Sequence, residues 1–268
     1  MLSFQGGGHM MEKAATTINS VDKAMELLDI LLSERTVLSL QELTERSGFS
    51  KSTVHALLST MCRHNVVSRE KGGRYRLGVR LFEYGCAVAD GWDISREARP
   101  YLEELSEKTR ASSFLSLVNG LDVIIIGQYA GGSGLHVTLD VGTRLPLHAT
   151  AQGKVLLAHM EEREVIKHLR QSGMPAYTPH TVTDEETLLR GLSDIRANGY
   201  AVEDGEYKIG LRSVSVPIYD NAGSVCYAIG VVGLFRNTRS DEFQNAIRQT
   251  VSAAEQISKM LGFRAKVR

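Results

Sequence analysis

The segment Ser39–Asn65 has the pattern of two short helices joined by a tight turn, and it limits the possible folds more than any other stretch. Ser39 and Glu42 have capping-box spacing, in which the hydroxyl accepts from the Glu42 N–H and the carboxylate reaches back. Gly48 can take the positive φ of a tight turn, and Ser50 is a candidate N-cap for the second helix. The pattern predicts a helix-turn-helix.

The second predicted helix has two unlike faces. Its apolar stripe, at i, i+3, i+4, i+7 spacing, is Val54, Leu57, Leu58 and Met61. The opposite face and its edges carry small, polar or basic side chains. A helix that enters the major groove of DNA needs such a face, because bulky apolar groups would desolvate base edges without pairing them. The candidate base contacts are Lys51, Ser52, Thr53, His55, Ala56, Ser59 and Arg63.

A basic hairpin, or wing, is predicted directly after these helices. Val66–Ser68 is β-prone, and Gly72-Gly73 is typical of a hairpin turn. Between Arg46 and Arg80 eight Lys/Arg face one acid, a net +7, whereas the whole chain balances 31 basic and 31 acidic residues. Such local charge is expected of a surface that contacts phosphates or an adjacent minor groove. The candidate contacts are Arg69, Lys71, Arg74 and Arg76.

Three other interpretations stay open from these residues. One is an ordinary helical hairpin with a solvated face, since such hairpins far outnumber DNA-binding ones. Another is an enzyme, but the sequence has no GxSxG, Walker loop, GxGxxG after a strand, HExxH or metal spacing, which leaves only a Ser-His-Asp set assembled in space. The third is a winged helix used for protein contact. The +7 segment favours nucleic acid, and we expect no catalytic residue, metal or cofactor.

Length and composition favour two domains in one chain of 268 residues. We expect a winged helix-turn-helix domain at 18–78, a linker helix at 79–93 and a second domain at 94–268, with residues 1–9 a cloning remnant. Three scattered cysteines fit a reducing cytoplasm, and no apolar run approaches membrane-spanning length. The predicted buried stripe of the first helix is Val21, Ala24, Leu27, Leu28, Leu31 and Leu32.

The second domain mixes helical and two-residue periods. Asn119-Gly120 predicts a β-hairpin, and Thr183 with Glu186 is expected to cap a helix. The predicted fold is α+β, with about six strands, mostly in hairpins, flanked by helices. The predicted strands are Phe114–Val118, Leu121–Tyr129, Leu135–Val141, Gly199–Asp204, Ser213–Tyr219 and Ser224–Phe235.

Several single residues have simple structural interpretations. Arg212 could bind a ligand carboxylate bidentately, but an internal ion pair is the expected role. Cys226 is expected to be a small core residue, with a reactive thiol as the alternative. Glu203, Asp204 and Glu206 are expected to be partly exposed, with one of them a candidate to point into a ligand pocket. Trp92 is interpreted as a hinge or dimer contact. The apolar residues of the linker helix, Leu81, Phe82, Tyr84 and Val88, are expected to pack against another chain.

Four segments carry a family resemblance: SVDKAMELLDILL at 20–32, GGRYRLGVRLFEYG at 72–85, VGTRLPLHATAQGKVLLAHM at 141–160 and GYAVEDGEYKIGLRSVSVPIYD at 199–220. In them the chain resembles the IclR family of bacterial transcription regulators. The resemblance implies a ligand-responsive, cytoplasmic regulator of a catabolic operon. It implies double-stranded DNA with a pseudo-palindromic operator as partner, bound by a homodimer or a dimer of dimers. The second domain would be a GAF-like effector domain with a curved antiparallel sheet.

The resemblance also implies a site for a small organic-acid effector. Amides before the Gly-Lys pair would meet the carboxylate, and an acidic and a small polar residue would follow on later strands. Two serines of small-acid binders align with Gly230 and Val232, which donate no side-chain hydrogen bond. That departure favours a larger acid with an apolar body, such as an aromatic one. The candidate effector contacts are Ala151, Gln152, Glu203, Ser213, Gly230 and Val232.

Overall fold

The computed structural model describes residues 18–34, 36–90, 93–131 and 137–264. The chain divides into two compact units, Met1–Gly91 and Trp92–Arg268. The interpretations of residues 1–9 and of Trp92 concern positions outside the described residues. Among the described helices, none is long and apolar enough to cross a membrane.

The first unit confirms the predicted helix-turn-helix and wing. Ser39 Oγ accepts from Glu42 N at 3.2 Å while the Glu42 carboxylate accepts from Ser39 N at 2.6 Å, and Gly48 has φ 67°. The elements are α1 Asn19–Glu34, β1 Leu38–Ser39, α2 Leu40–Ser47, α3 Lys51–Arg63, β2 Val67–Arg69, β3 Arg74–Leu77 and α4 Val79–Asp90. The three strands form an antiparallel sheet of order β1-β3-β2.

Helix α1 buries a narrower stripe than predicted. Leu27 and Leu31 are buried, but Val21 is 54% exposed and Leu32 is 51% exposed, so the prediction was wrong at these two positions. The reason is that α2, α3 and β3 contact only one side of α1, and the helical period alone does not tell how wide the covered side is.

The second unit is α+β, as predicted. Its described strands are β4 Ser112–Asn119, β5 Asp122–Tyr129, β6 Arg144–Pro146, β7 Ala201–Asp204, β8 Arg212–Tyr219 and β9 Val225–Gly233. They form an antiparallel sheet of order β6-β5-β4-β9-β8-β7. The helices are α5 Asp93–Thr109, α6 Ala151–Leu157, α7 Glu162–Ser172, α8 Glu185–Asn198 and α9 Asp241–Met260.

Each face of this sheet has its own apolar core, because side chains alternate between faces along every strand. On one face Leu115 and Ile229 pack with residues of α5 and α9. On the other, Phe114 and Ala228 pack with residues of α6, α7 and α8. We call this second surface the α6 face. Polar side chains on the α6 face are enclosed between the sheet and the helices.

Two local predictions were wrong. Residues 137–141 form no strand; instead Arg144–Pro146 pairs with β5, and Leu139 N donates to Gln128 Oε1 at 3.0 Å. The alternating apolar pattern at 137–141 therefore did not predict a strand correctly, because no described strand pairs with this segment. Helix α8 is capped by Asp184, whose carboxylate accepts from Thr187 N at 2.8 Å, one residue after the predicted cap. Aspartate caps helices at least as well as threonine, so the Thr183 hydroxyl is not needed.

Helix α6 packs so closely that it tolerates no added methyl group at Gly153. A Cβ there would lie 2.2 Å from the Leu147 carbonyl oxygen, whereas at Gly191 in α8 no heavy atom of the described residues lies within 4 Å of such a Cβ. We predict that Gly153→Ala lowers the free energy of unfolding by about 1–3 kcal/mol or more, because backbone must move.

The matched variant Gly191→Ala should raise the free energy of unfolding by about 0.5–1 kcal/mol, because alanine is the better helix former. Scanning calorimetry of the full chain gives both midpoints. A Gly153→Ala midpoint at or above that of the parent chain would refute the close packing of α6.

Candidate functional sites

The polar face of α3 is exposed, as expected for a helix that contacts DNA bases. Among the candidate base contacts, only Thr53 is half-buried. Its hydroxyl lies 2.8 Å from Ser50 Oγ, and Ser50 also accepts from Thr53 N at 3.3 Å, so Thr53 belongs to the helix cap. The exposed members of the set are Lys51, Ser52, His55, Ala56, Ser59 and Arg63.

The wing cations differ in their surroundings. Arg74 pairs with Glu42 of the capping box at 3.3 Å and donates from Nε to the Val37 carbonyl at 3.3 Å. Arg76 pairs with Glu70 at 3.2 Å, and the Arg69 guanidinium lies 5.7 Å from the Tyr75 ring centroid. Lys71 is exposed at the hairpin tip. Arg74 thus joins the wing to the helix-turn-helix, a contact that sequence spacing did not reveal.

Strand register aligns four of the candidate effector contacts in two rows on the α6 face. The first row crosses β7, β8, β9 and β4, since Glu203 pairs with Ser213, Ser213 with Val232, and Val232 with Ser112. The second row has Ser215, Gly230 and Phe114. Residues in register on neighbouring strands point to the same face.

Buried hydrogen bonds hold the Glu203 carboxylate at one end of the first row. Oε2 accepts from Ser213 Oγ at 2.9 Å, while Oε1 accepts from Glu206 N at 2.6 Å and from Tyr207 N at 3.1 Å. Glu203 is only 4% exposed, so the expectation that it is partly exposed was wrong. The loop after β7 folds back over the carboxylate, and single-sequence patterns do not show such loops.

Burial raises the pKa of the Glu203 carboxyl, because the charged form loses its hydration. The three hydrogen bonds oppose that rise, and the neighbouring Glu206 carboxylate adds to it. Glu206 itself pairs with the buried Lys154 ammonium of α6. This ion pair was missed in the sequence, since Lys154 and Glu206 are far apart along the chain.

Aromatic rings adjoin the same end of the α6 face. The His148 and Tyr177 ring centroids are 5.8 Å apart, and those of Tyr177 and Tyr207 are 5.1 Å apart in an edge-to-face arrangement. His148 Nε2 lies 3.1 Å from the Pro175 carbonyl oxygen and donates to it. Burial lowers the pKa of the His148 ring, so the neutral form is favoured.

The other two effector candidates, Ala151 and Gln152, are both buried in the first turn of α6.

Gly230, the candidate in the second row, leaves no room for a side chain, because a Cβ there would lie 2.6 Å from the Val214 carbonyl oxygen. Gln152 Nε2 is buried and has no hydrogen-bond partner among the described residues. Four of the six candidates thus lie on the strands of the α6 face and two lie in α6, whose Ala151 belongs to the same apolar cluster as Phe114 and Val232.

Two of the predictions for single residues have clear outcomes. Arg212 pairs with Asp204 at 2.7 Å, which confirms the internal ion pair. Cys226 is exposed, so its prediction as a core residue was wrong: it lies near the start of β9, where the strand is only partly covered. Within the described part of the chain, no three His, Cys, Asp or Glu side chains are grouped as metal ligands.

Comparison with known proteins covers nearly the whole described chain. Residues 20–71 match the family described as the IclR helix-turn-helix domain, and residues 86–259 match the bacterial transcriptional regulator IclR C-terminal family. The HTH-type transcriptional regulator XynR of Escherichia coli K12 is 33% identical over 249 residues, which are 92% of this chain and 99% of XynR.

Two solved structures are similar in fold as well as in sequence. The IclR transcriptional regulator of Alicyclobacillus acidocaldarius superposes with a TM-score of 0.79 at 30% identity, over 92% of this chain and 100% of that one. An IclR homolog from Microbacterium hydrocarbonoxydans, complexed with 4-hydroxybenzoate, has a TM-score of 0.76 at 25% identity, over 90% of this chain and 97% of that one.

The raised pKa of Glu203 predicts a specific pH dependence of stability. An acid whose pKa is higher in the folded than in the unfolded state binds its proton more tightly when folded, so its contribution to stability is lost as the pH rises through the folded pKa. Glu203→Gln keeps the shape without the charge. We predict that the parent-minus-variant difference in thermal midpoint falls as the pH is raised from about 4 to about 8. A difference that rises over this interval would contradict the dominant effect of burial.

Proposed function

Because the chain belongs to the IclR family of bacterial transcriptional regulators, we propose that it controls a catabolic operon in response to a small aromatic acid. It is a DNA-binding regulator with a helix-turn-helix domain and an effector-binding domain. We place it in the cytoplasm, where its operator is, and assign it no catalytic residue, metal or cofactor, since regulation by binding requires none.

The exposed polar face of α3 beside the basic wing is the observation that carries the DNA-binding part of the proposal. Ser52, Ala56 and Ser59 approach base edges, with Lys51, His55 and Arg63 beside them. Lys71 at the wing tip engages phosphates, and Arg69, Arg74 and Arg76 add positive charge along the hairpin. Phosphate contacts set affinity and register, while base contacts set sequence preference.

We propose a homodimer, or a dimer of dimers, whose subunits meet along α4. This helix exposes large apolar side chains, among them Phe82 at 72% and Val79 at 64%. Monomeric proteins rarely leave such a cluster uncovered, so a second copy of α4 is a fitting partner. A two-fold axis would present two α3 helices to a pseudo-palindromic operator, and α4 would be the lever between the domains.

We assign the effector to the α6 face. Ala151 and Gln152 amides receive its carboxylate, and Glu203 with Ser213 binds a polar group. The apolar floor of Val232 and Phe114 suits an aromatic ring better than a two- or three-carbon acid. The 4-hydroxybenzoate complex of the similar Microbacterium hydrocarbonoxydans protein supports the same ligand class.

Fluorescence anisotropy on DNA from upstream of its own gene, against scrambled DNA at several salt concentrations, tests the DNA-binding proposal. Lys71→Ala should weaken both complexes equally and reduce the salt slope by about one, because one phosphate contact is lost. Ser59→Ala should instead reduce the preference for the upstream DNA.

Lys167→Ala serves as a matched control, since that exposed lysine lies on α7 in the second unit, and it should alter neither complex. If Lys71→Ala and Ser59→Ala changed the affinities for upstream and scrambled DNA in the same way, the division between phosphate and base contacts would be refuted. A parent chain with no salt-dependent binding would favour a winged helix used for protein contact.

A further inference from the structure

We propose that Ser112, together with the side chain of Gln152, binds the carboxylate of the effector and so selects elongated acids with a hydrogen-bond donor at the opposite end. The proposal rests on the proposed function and deepens it. Ser112 is the first residue of β4 and lies outside every sequence motif identified above. Its importance comes from its place in the sheet and from an unpartnered hydroxyl group.

Ser112 lies on the α6 face at the opposite end of the first row from Glu203. The next residue, Ser113, donates to the Leu102 carbonyl of α5 on the other face, and Phe114 returns to the α6 face. The row has three strand-to-strand steps between the backbones of Glu203 and Ser112, but Glu203 Oε2 lies 2.9 Å from Ser213 Oγ on the next strand. The two groups that would hold the ligand are therefore separated by about two steps, or about 10 Å at ordinary strand spacing. A ligand that touches both ends is therefore longer than a two- or three-carbon acid.

Ser112 is only 1% exposed, and its hydroxyl group has no hydrogen-bond partner among the described residues. Buried serines elsewhere in this unit donate to carbonyl oxygens: Ser116 to Ala228 at 3.3 Å and Ser215 to Ile229 at 3.1 Å. Burial of an unpaired hydroxyl is unfavourable, so a group of this kind calls for a partner outside the chain.

Gln152 supplies the second unpartnered donor. Gln152 and Lys154 are two residues apart on α6, so their side chains leave the helix on nearly opposite sides. Lys154 pairs with Glu206, just beyond β7, which places the Gln152 side chain on the side away from that pair. Gln152 is 2% exposed, and its Nε2 joins Ser112 Oγ as a buried polar atom without a partner among the described residues.

The placement of donors and acceptors fixes the orientation of the ligand. At the β7 end the Glu206 carboxylate is already paired with Lys154 and the Glu203 carboxyl accepts hydrogen bonds, so this end offers a ligand an acceptor, whereas Ser112 and Gln152 both offer donors. Glu203 Oε1 already accepts two N–H bonds, but Oε2 accepts one, from Ser213, and has room for another donor. The effector accordingly places its carboxylate at Ser112 and Gln152, its apolar body over Val232, and a hydroxyl at Glu203.

Calorimetric titration of the full chain with 4-hydroxybenzoate and with benzoate tests this arrangement. Ser112→Ala should weaken binding of both acids by about tenfold, because the lost hydrogen bond is to the carboxylate that they share. Gln152→Met should do the same, and the double variant should weaken binding by less than the product if the two donors share one carboxylate. Ser116→Ala, a buried serine of the same strand, is the control and should leave both affinities unchanged.

Thermal midpoints separate this role from a structural one. Ser112→Ala removes an unpaired hydroxyl and should not lower the midpoint of the unliganded chain, whereas Ser116→Ala removes a hydrogen-bonded hydroxyl and should lower it. A Ser112→Ala variant with parental affinities would overturn the proposal. So would a loss confined to 4-hydroxybenzoate, which would place the hydroxyl at Ser112. Failure of the parent chain to bind either acid would overturn the aromatic-acid assignment itself, with DNA binding still measurable on its own.

Discussion

The pairing of β4 with β9 is the constraint on which the second unit depends. It joins strands more than 100 residues apart, as the Ser116 to Ala228 hydrogen bond illustrates with a separation of 112. Without this pairing the β4–β5 hairpin and the β8–β9 pair would be two separate two-stranded sheets. Neither would be wide enough to pack against helices on both of its faces. The same register sets Ser112 beside Val232 and completes the row that begins at Glu203. Fold and candidate effector site thus follow from one set of backbone hydrogen bonds.

Charge is arranged in opposite ways in the two units. In the first unit, cations lie exposed on α3 and the wing, and two of them, Arg74 and Arg76, also form ion pairs with Glu42 and Glu70. In the second, Lys154, Glu203 and Glu206 are withdrawn from solvent and bonded to one another or to backbone. Electrostatic interactions are stronger at low dielectric, so these contacts hold the side chains of the enclosed cluster in fixed positions. A long-range field suits recognition of a polyanion, and a short-range one suits discrimination among small ligands.

Sequence patterns predicted local features well because those features depend on neighbouring residues. The capping box at Ser39, the left-handed Gly48 and the Asn119-Gly120 hairpin are all present. Patterns failed where distant contacts decide: the strand expected at Leu135–Val141 has no partner over its described residues, and Cys226 is exposed. For the site, resemblance to a family supplied Glu203 and Ser213. Ser112 and the Lys154–Glu206 pair could not be found, since burial and register are properties of the folded sheet.

The proposed regulation requires that one chain couple the binding of an acid on the α6 face to the binding of DNA at α3. Coupling between two ligands is reciprocal, so the most direct test compares the Kd of 4-hydroxybenzoate for the free protein and for the protein saturated with upstream DNA. We predict that the two values differ by about 5- to 150-fold, and that the acid changes the Kd for DNA by the same factor. Equal affinity of the acid for free and DNA-bound protein would contradict the claim.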